Sequence, residues 1–145
     1  MAVGDIPDAF RLMQALAAYE GYERELALTE DRLADAAGME PPPFKAFVVG
    51  PEGGPLAGLA VTVTIPWTYT LRPTLVLKEL YIRPAFRGTG TGRALFGAVR
   101  DHARVIGAGQ IDWLVLPSNT GAKAFYRQMG GRPDTAWERW CLPLG

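Results

Sequence analysis

Residues 74–92, TLVLKELYIRPAFRGTGTG, decide the fold. Thr74–Ile82 is rich in β-branched and aromatic residues and is stopped by Pro84, so it reads as a strand. Residues 93–106 then set Leu95, Val99, Ala103 and Ile106 on one helical face, with Gly107 placed as the C-terminal glycine. Between strand and helix, Arg87 is followed by Gly88, Thr89, Gly90, Thr91 and Gly92. Small residues let backbone N–H groups approach an anion, and the new helix adds its positive end. Each charge held there gains about 0.3–1 kcal/mol. The segment suits a diphosphate.

Spacing narrows the choice. A dinucleotide fingerprint needs its third glycine at the sixth position, but counting from Gly88 reaches Arg93 and counting from Gly90 reaches Leu95. No Gly-Lys-Ser/Thr follows, which excludes a P-loop. The pattern that fits is Arg/Gln-x-x-Gly-x-Gly/Ala, as Arg87, Gly90 and Gly92. It resembles the pyrophosphate loop of the GCN5-related N-acetyltransferases (GNAT). Lys78–Pro84 is similar to that family's fourth strand. Asn119, Ala122, Phe125, Tyr126 and Gly130 follow a further strand, Ile111–Leu116, in the spacing of its fifth strand and next helix. Leu16–Glu20, Leu28–Glu30, Trp113 and the tail Trp137–Trp140 are similar to the spermidine/spermine (diamine) and thialysine acetyltransferase group. The likeness covers about Ala15 to Leu142.

Composition agrees with one domain: 145 residues, 48% hydrophobic, formal net charge zero. Neutrality argues against nucleic acid as a partner held by bulk electrostatics. The charge is nonetheless segregated. Residues 1–40 carry nine acids against three arginines, a balance of −6, while residues 83–132 carry eight bases against two aspartates, a balance of +6. A basic half suits CoA phosphates and an acidic half a cationic acceptor, although most single charges in such halves simply solvate helices. The lone Cys141 excludes an internal disulfide and suits a reducing, cytoplasmic setting. It is read as packing in an apolar tail. No apolar run approaches the ~18 residues of a membrane span, and no leader is seen. No membrane partner and no metal are expected.

The layout expected is a helix from Pro7 to about Tyr22, with Asp5 as N-cap, and a second short helix from Thr29 to Gly38. Phe44–Val49 and Leu56–Trp67 form a hairpin around Gly50–Pro55. The strand at 74–82, a helix at about 90–106, a strand at 110–116, a helix at about 119–129 and a tail strand near Trp137–Leu142 complete the chain. The fold class is α/β: a GNAT fold whose mixed, mostly antiparallel sheet has helices on both faces. The family opens with a strand before the first helix. Only Met1–Gly4 precede Asp5, so that strand is very short, missing, or upstream.

The resemblance also implies a site. Acetyl-CoA would run along Leu80, Tyr81 and Ile82 and over Arg87, Gly88, Thr89, Gly90, Thr91, Gly92 and Arg93, with Asn119 and Tyr126 beside it. Asn119 serves equally well as a helix cap. An alkyl ammonium is about one part in a thousand neutral at pH 7.4, yet only the neutral amine attacks a thioester. A carboxylate must therefore take the proton. The family places Glu79 for that role and Tyr126 as general acid for the departing thiolate. Tyr19, Glu20, Lys78 and Glu79 would hold the acceptor. The diamine group has a glutamate where Lys78 stands. A cation there repels a second ammonium by about 4 kcal/mol at ~4 Å and an effective dielectric near 20. An amine that also bears a carboxylate suits Lys78 better, provided Lys78 faces the cleft. His102 and the tryptophans read as packing, although Trp67 could wall the acceptor pocket. A protein or peptide substrate, and a non-catalytic acyl-CoA sensor, stay open as alternatives. The family's diamine members imply a homodimer formed through the tail.

Overall fold

Apolar residues recur every three or four positions from Ile6 to Glu20, and this segment is helix α1 in the computed structural model, which describes residues 1–144. A 3-10 turn, Val3–Asp5, precedes it where the family has a strand. Asp5 stands at the N-cap but caps no amide of α1; its carboxylate accepts the Ala2 N–H at 2.6 Å. Helix α2 (Glu30–Ala37) is capped as expected, with Thr29 Oγ1 accepting the Arg32 N–H at 3.3 Å. The chain divides into two units, Met1–Leu114 and Val115–Gly145.

The first unit holds one four-stranded sheet, β1 (Lys45–Val49), β2 (Gly58–Ile65), β3 (Thr74–Ile82) and β4 (Gln110–Trp113), in that spatial order. The first three are antiparallel, and β3–β4 is parallel because helix α3 (Thr91–Val105) returns the chain to the same end of the sheet. Strand β4 is shorter than the sequence suggests: it stops at Trp113, not Leu116.

Alternation along β2 assigns the two faces. Leu59 and Val61, with Tyr81 of β3, join Ile6, Leu12, Met13 and Leu16 of α1 and Leu33 of α2 in one core cluster. Ala60 and Thr62 are buried on the opposite side, which α3 covers with Leu95, Phe96, Val99 and Ala103. His102 lies on that side with its ring 5.6 Å from Phe47, the residue paired with Ala60, and so packs as expected. Trp113 meets Phe96 edge-to-face at 5.8 Å.

A polar clamp ties the start of α1 to the end of β3. Asp8 accepts the Leu56 N–H at 2.5 Å and pairs with Arg83 at 2.6 Å, while Arg83 Nε donates to the Leu56 carbonyl at 2.6 Å. A bond to a charged group is worth more than a neutral one, and this pair is partly shielded from water.

In the second unit, helix α4 (Thr120–Gln128) begins at Asn119, whose Oδ1 accepts the Ala122 N–H at 3.0 Å. The expected strand near Trp137–Leu142 is absent. That stretch enters no ladder, and Trp137 and Trp140 are 82% and 87% exposed, so they do not pack as strand residues. Cys141 is exposed as well, against the expectation that it packs. Among the described residues no helix is long and apolar enough to cross a membrane.

Replacing Asp8 by alanine removes the acceptor of both the Leu56 N–H and the Arg83 guanidinium and leaves Arg83 without its counter-charge. Unfolding free energy should fall by about 1–3 kcal/mol, read as a lower urea midpoint at unchanged slope.

Candidate functional site

Helix α1 ends at Glu20 rather than near Tyr22, because Gly21 takes the left-handed conformation (φ +83°). An L side chain there would cost roughly 1–2 kcal/mol. The reversal carries Tyr22 back towards β3, where its hydroxyl donates to Glu79 Oε2 at 3.5 Å. Glu20, the last residue of α1, lies close enough to act on both groups electrostatically.

These groups shift one another. Burial raises the Glu79 pKa above its ordinary 4.5, and the Glu20 charge raises it further; Lys78 and the Tyr22 hydrogen bond pull it back only in part. Burial alone raises Glu20. The Tyr22 hydroxyl is pushed up to about 12, chiefly by burial and then by the charges of Glu79 and Glu20. Tyr22 therefore remains a donor at neutral pH. A half-buried carboxylate with a raised pKa is a stronger base than a solvated one.

Lys78 shares this face because β3 contains a bulge. Glu79 pairs with Val61, but the next β2 residue, Thr62, pairs with Leu77, so Lys78 has no partner across the ladder. Leu80 and Leu77 stand opposite Ala60 and Thr62 on the α3 face. Stepping inward from each, both Lys78 and Glu79 fall on the α1 face. Without the extra residue Lys78 would sit beneath α3. Its exposure and its electrostatic pull on Glu79 agree with this placement.

Beside the bulge, the β3–β4 ladder ends at Leu77 paired with Trp113. From Glu79 to Ile82, β3 is paired in the sheet on its β2 side alone. Leu80, Tyr81 and Ile82 thus border an open ladder edge.

The glycine loop follows. Gly88 and Gly90 have φ +76° and +89°, and a Cβ at either would meet nothing within 4 Å. The space beside this backbone is open. Gly90 is the N-cap of α3 and places no capping side chain over the first-turn amides of Thr91, Gly92 and Arg93. Thr89 Oγ1 bonds the Phe86 carbonyl at 2.7 Å and the Thr91 hydroxyl at 2.8 Å, which steadies the turn. Open backbone, free first-turn donors and the positive end of a fifteen-residue helix fit a diphosphate. Arg87 Nε donates to the Ile82 carbonyl at 3.0 Å, and its guanidinium lies 5.2 Å from the Tyr19 ring and 5.6 Å from the Tyr81 ring.

Glu20, Lys78, Glu79, Leu80, Tyr81, Ile82 and the loop 87–93 all belong to the first unit, and Tyr19 reaches Arg87. Asn119 and Tyr126 belong to the second, where Asn119 caps α4 and the Tyr126 ring packs edge-to-face on Phe125 at 5.4 Å. Tyr22 is a site residue that sequence reasoning missed. Gly21 was the available signal, since a glycine after an amphipathic run marks a helix end and a change of direction.

The Glu79 side-chain carboxyl should titrate above 4.5 when followed by 13C chemical shift. Glu20→Gln should lower that midpoint by removing a like charge, and Lys78→Met should raise it. A Glu79 midpoint indifferent to both would contradict the geometry.

Comparison with known proteins bears on this arrangement. The Acetyltransferase (GNAT) family model matches residues 9–131. A thialysine N-epsilon-acetyltransferase of Sus scrofa is 30% identical over 94% of this chain and 84% of its own length. An L-ornithine N5-acetyltransferase of Arabidopsis thaliana is 33% identical over 48% of this chain and 30% of its own. The crystal structure of an aminoglycoside acetyltransferase from an uncultured soil metagenomic sample superposes with a TM-score of 0.81, covering 100% of this chain and 93% of that one at 16% identity, and so supports the fold alone. The family match runs through both units, over the bulged strand, the glycine loop and α4 alike: the chain belongs to the GNAT family and is an acetyltransferase.

Proposed function

We propose that this enzyme transfers an acetyl group from acetyl-CoA to the primary amine of a small molecule that also carries a carboxylate, such as a lysine- or thialysine-like amino acid. The observation that carries this reading is the bulge, which sets a cation, Lys78, beside the carboxylates Glu79 and Glu20 on one face. The carboxylates suit the ammonium of the acceptor and Lys78 suits its carboxylate. A simple diamine offers Lys78 only a second positive charge. The thialysine and ornithine acetyltransferases among the relatives support an amino-acid acceptor.

Acetyl-CoA, when bound, supplies the acetyl group as an activated thioester. Arg87 and the loop Gly88–Arg93 hold its diphosphate, and Leu80, Tyr81 and Ile82 present backbone groups along its arm. Asn119 orders the turn before α4. Glu20 and Glu79 bind the ammonium, with Tyr19 at the rim. Glu79 then takes the proton, directly or through water, and frees the nitrogen lone pair for attack. A backbone N–H at Leu80 or Tyr81 steadies the charge that develops on the carbonyl oxygen. Tyr126 serves as general acid and delivers a proton to the departing sulfur.

The sign of the pH dependence follows from Glu79. Its raised pKa means that the base is lost as pH falls through a value above 4.5, so kcat/KM should drop on the acid side earlier than for a solvated glutamate. Glu79→Gln and Tyr126→Phe should each lower kcat by about 10²–10⁴-fold with CoA affinity kept. Release of free thiol from acetyl-CoA across diamines, spermidine, lysine, thialysine, aminoglycosides and a short peptide tests the acceptor. The amino acids should lead, and Lys78→Glu should move preference towards diamines. A wild-type preference for spermidine sinks the carboxylate reading, and no turnover with any small amine sinks the small-molecule reading.

A homodimer in the cytoplasm completes the proposal. The exposed Trp137, Trp140, Leu142 and Leu144 form an apolar tail that a second copy would cover. Light scattering should give about twice 15.7 kDa, and Trp137→Ser with Trp140→Ser should return the monomer mass.

A further inference from the structure

Residues 19–22 reach two places at once. Tyr19 lies 5.2 Å from the Arg87 guanidinium, which sits also 5.6 Å from Tyr81 and donates to the Ile82 carbonyl at 3.0 Å. Three residues later, Tyr22 donates to Glu79, and between them Glu20 acts on the same carboxylate. The four residues span the last turn of α1 and its αL reversal at Gly21, so both contacts are carried by one short segment. Arg87 opens the glycine loop, and although the residue is exposed its guanidinium lies over rings of α1 and β3.

Tyr81 makes this contact specific. It is a buried member of the core cluster on the α1 face of β3, so its ring is a fixed wall. Tyr19 is 58% exposed and is held on its outer side by nothing comparable. The guanidinium therefore joins a buried ring of the sheet to an exposed ring of the helix. A cation near aromatic faces is attracted to each, and the attraction survives loss of the phenol hydroxyl.

We infer that Tyr19 is a positioning residue that acts through Arg87, coupling occupancy of the cosubstrate loop to the geometry of the acceptor site. The inference rests on the acetyl-CoA reading above. A diphosphate that orders the loop fixes Arg87; Arg87 fixes Tyr19; and Tyr19 sets the turn that carries Glu20 and Tyr22 against Glu79. By linkage, an amine held at Glu20 and Glu79 must tighten the cosubstrate loop by the same factor. The device would favour assembly of both ligands together before proton transfer begins.

The test uses CoA and L-thialysine, which together cannot react, and calorimetry on the full chain. In the wild type, saturating thialysine should lower the CoA Kd by about three- to tenfold. Tyr19→Leu should abolish that factor, weaken CoA about two- to fivefold on its own, and leave the thermal midpoint of the free protein near its original value. Tyr19→Phe, which keeps the ring face, should restore the coupling. Undiminished coupling in Tyr19→Leu overturns the inference while leaving the acetyl-CoA reading intact, as does a Phe variant that behaves like Leu. Failure of the wild type to bind CoA overturns both.

Discussion

One unpaired residue in β3 governs how the charged groups of the candidate site are arranged. Side chains along a strand alternate strictly, so a lysine next to a glutamate would ordinarily face the opposite side of the sheet. The bulge at Lys78 breaks that alternation and puts both on the α1 face. The end of the β4 ladder falls at the same level, at Leu77. The two irregularities have a shared consequence: where the ladder opens, charged side chains and unpaired backbone lie together. A regular strand would give a well-buried sheet with Lys78 pressed against α3, and no site.

Around the bulge, opposing influences act on one carboxylate. Burial and Glu20 push the Glu79 proton on; Lys78 and the Tyr22 hydroxyl push it off. Burial prevails, which leaves a carboxylate more basic than one in water. Tyr22, held protonated by the same neighbours, gives Glu79 a fixed direction without competing for its charge. The acidic first 40 residues thus do more than solvate helices, since Glu20 is drawn from them into the site. Most of the others, including Glu23, Glu25, Glu30 and Asp31, stay exposed.

The proposed cosubstrate side rests on backbone. Gly88 and Gly90 occupy conformations that other residues adopt at a cost, and they leave open space beside the first amides of α3. The loop is placed by what flanks it: the Asp8–Arg83 clamp fixes the end of β3, and Arg87 bends back onto the Ile82 carbonyl. Anion binding at such a helix start needs no side-chain charge inside the cradle, which is why glycine and threonine suffice there.

The local sequence determined whatever depends on near neighbours. Helix periodicity, the Thr29 cap, the β3 run stopped by Pro84 and the glycines of the loop each carry their own steric or hydrogen-bonding reason, and the elements stand close to where those reasons put them. The GNAT fold was legible for the same cause: its signature is three short segments at set separations. Tertiary structure decided what depends on pairing between distant segments. Whether Lys78 shares a face with Glu79 is set by registry against Val61 and Thr62, which nothing within TLVLKELYI encodes. Tyr22 became a site residue only when Gly21 turned it towards a strand some sixty positions on. The tail enters no ladder although the composition at Trp137–Leu142 is apolar and β-favouring, because propensity is local and strand pairing is not.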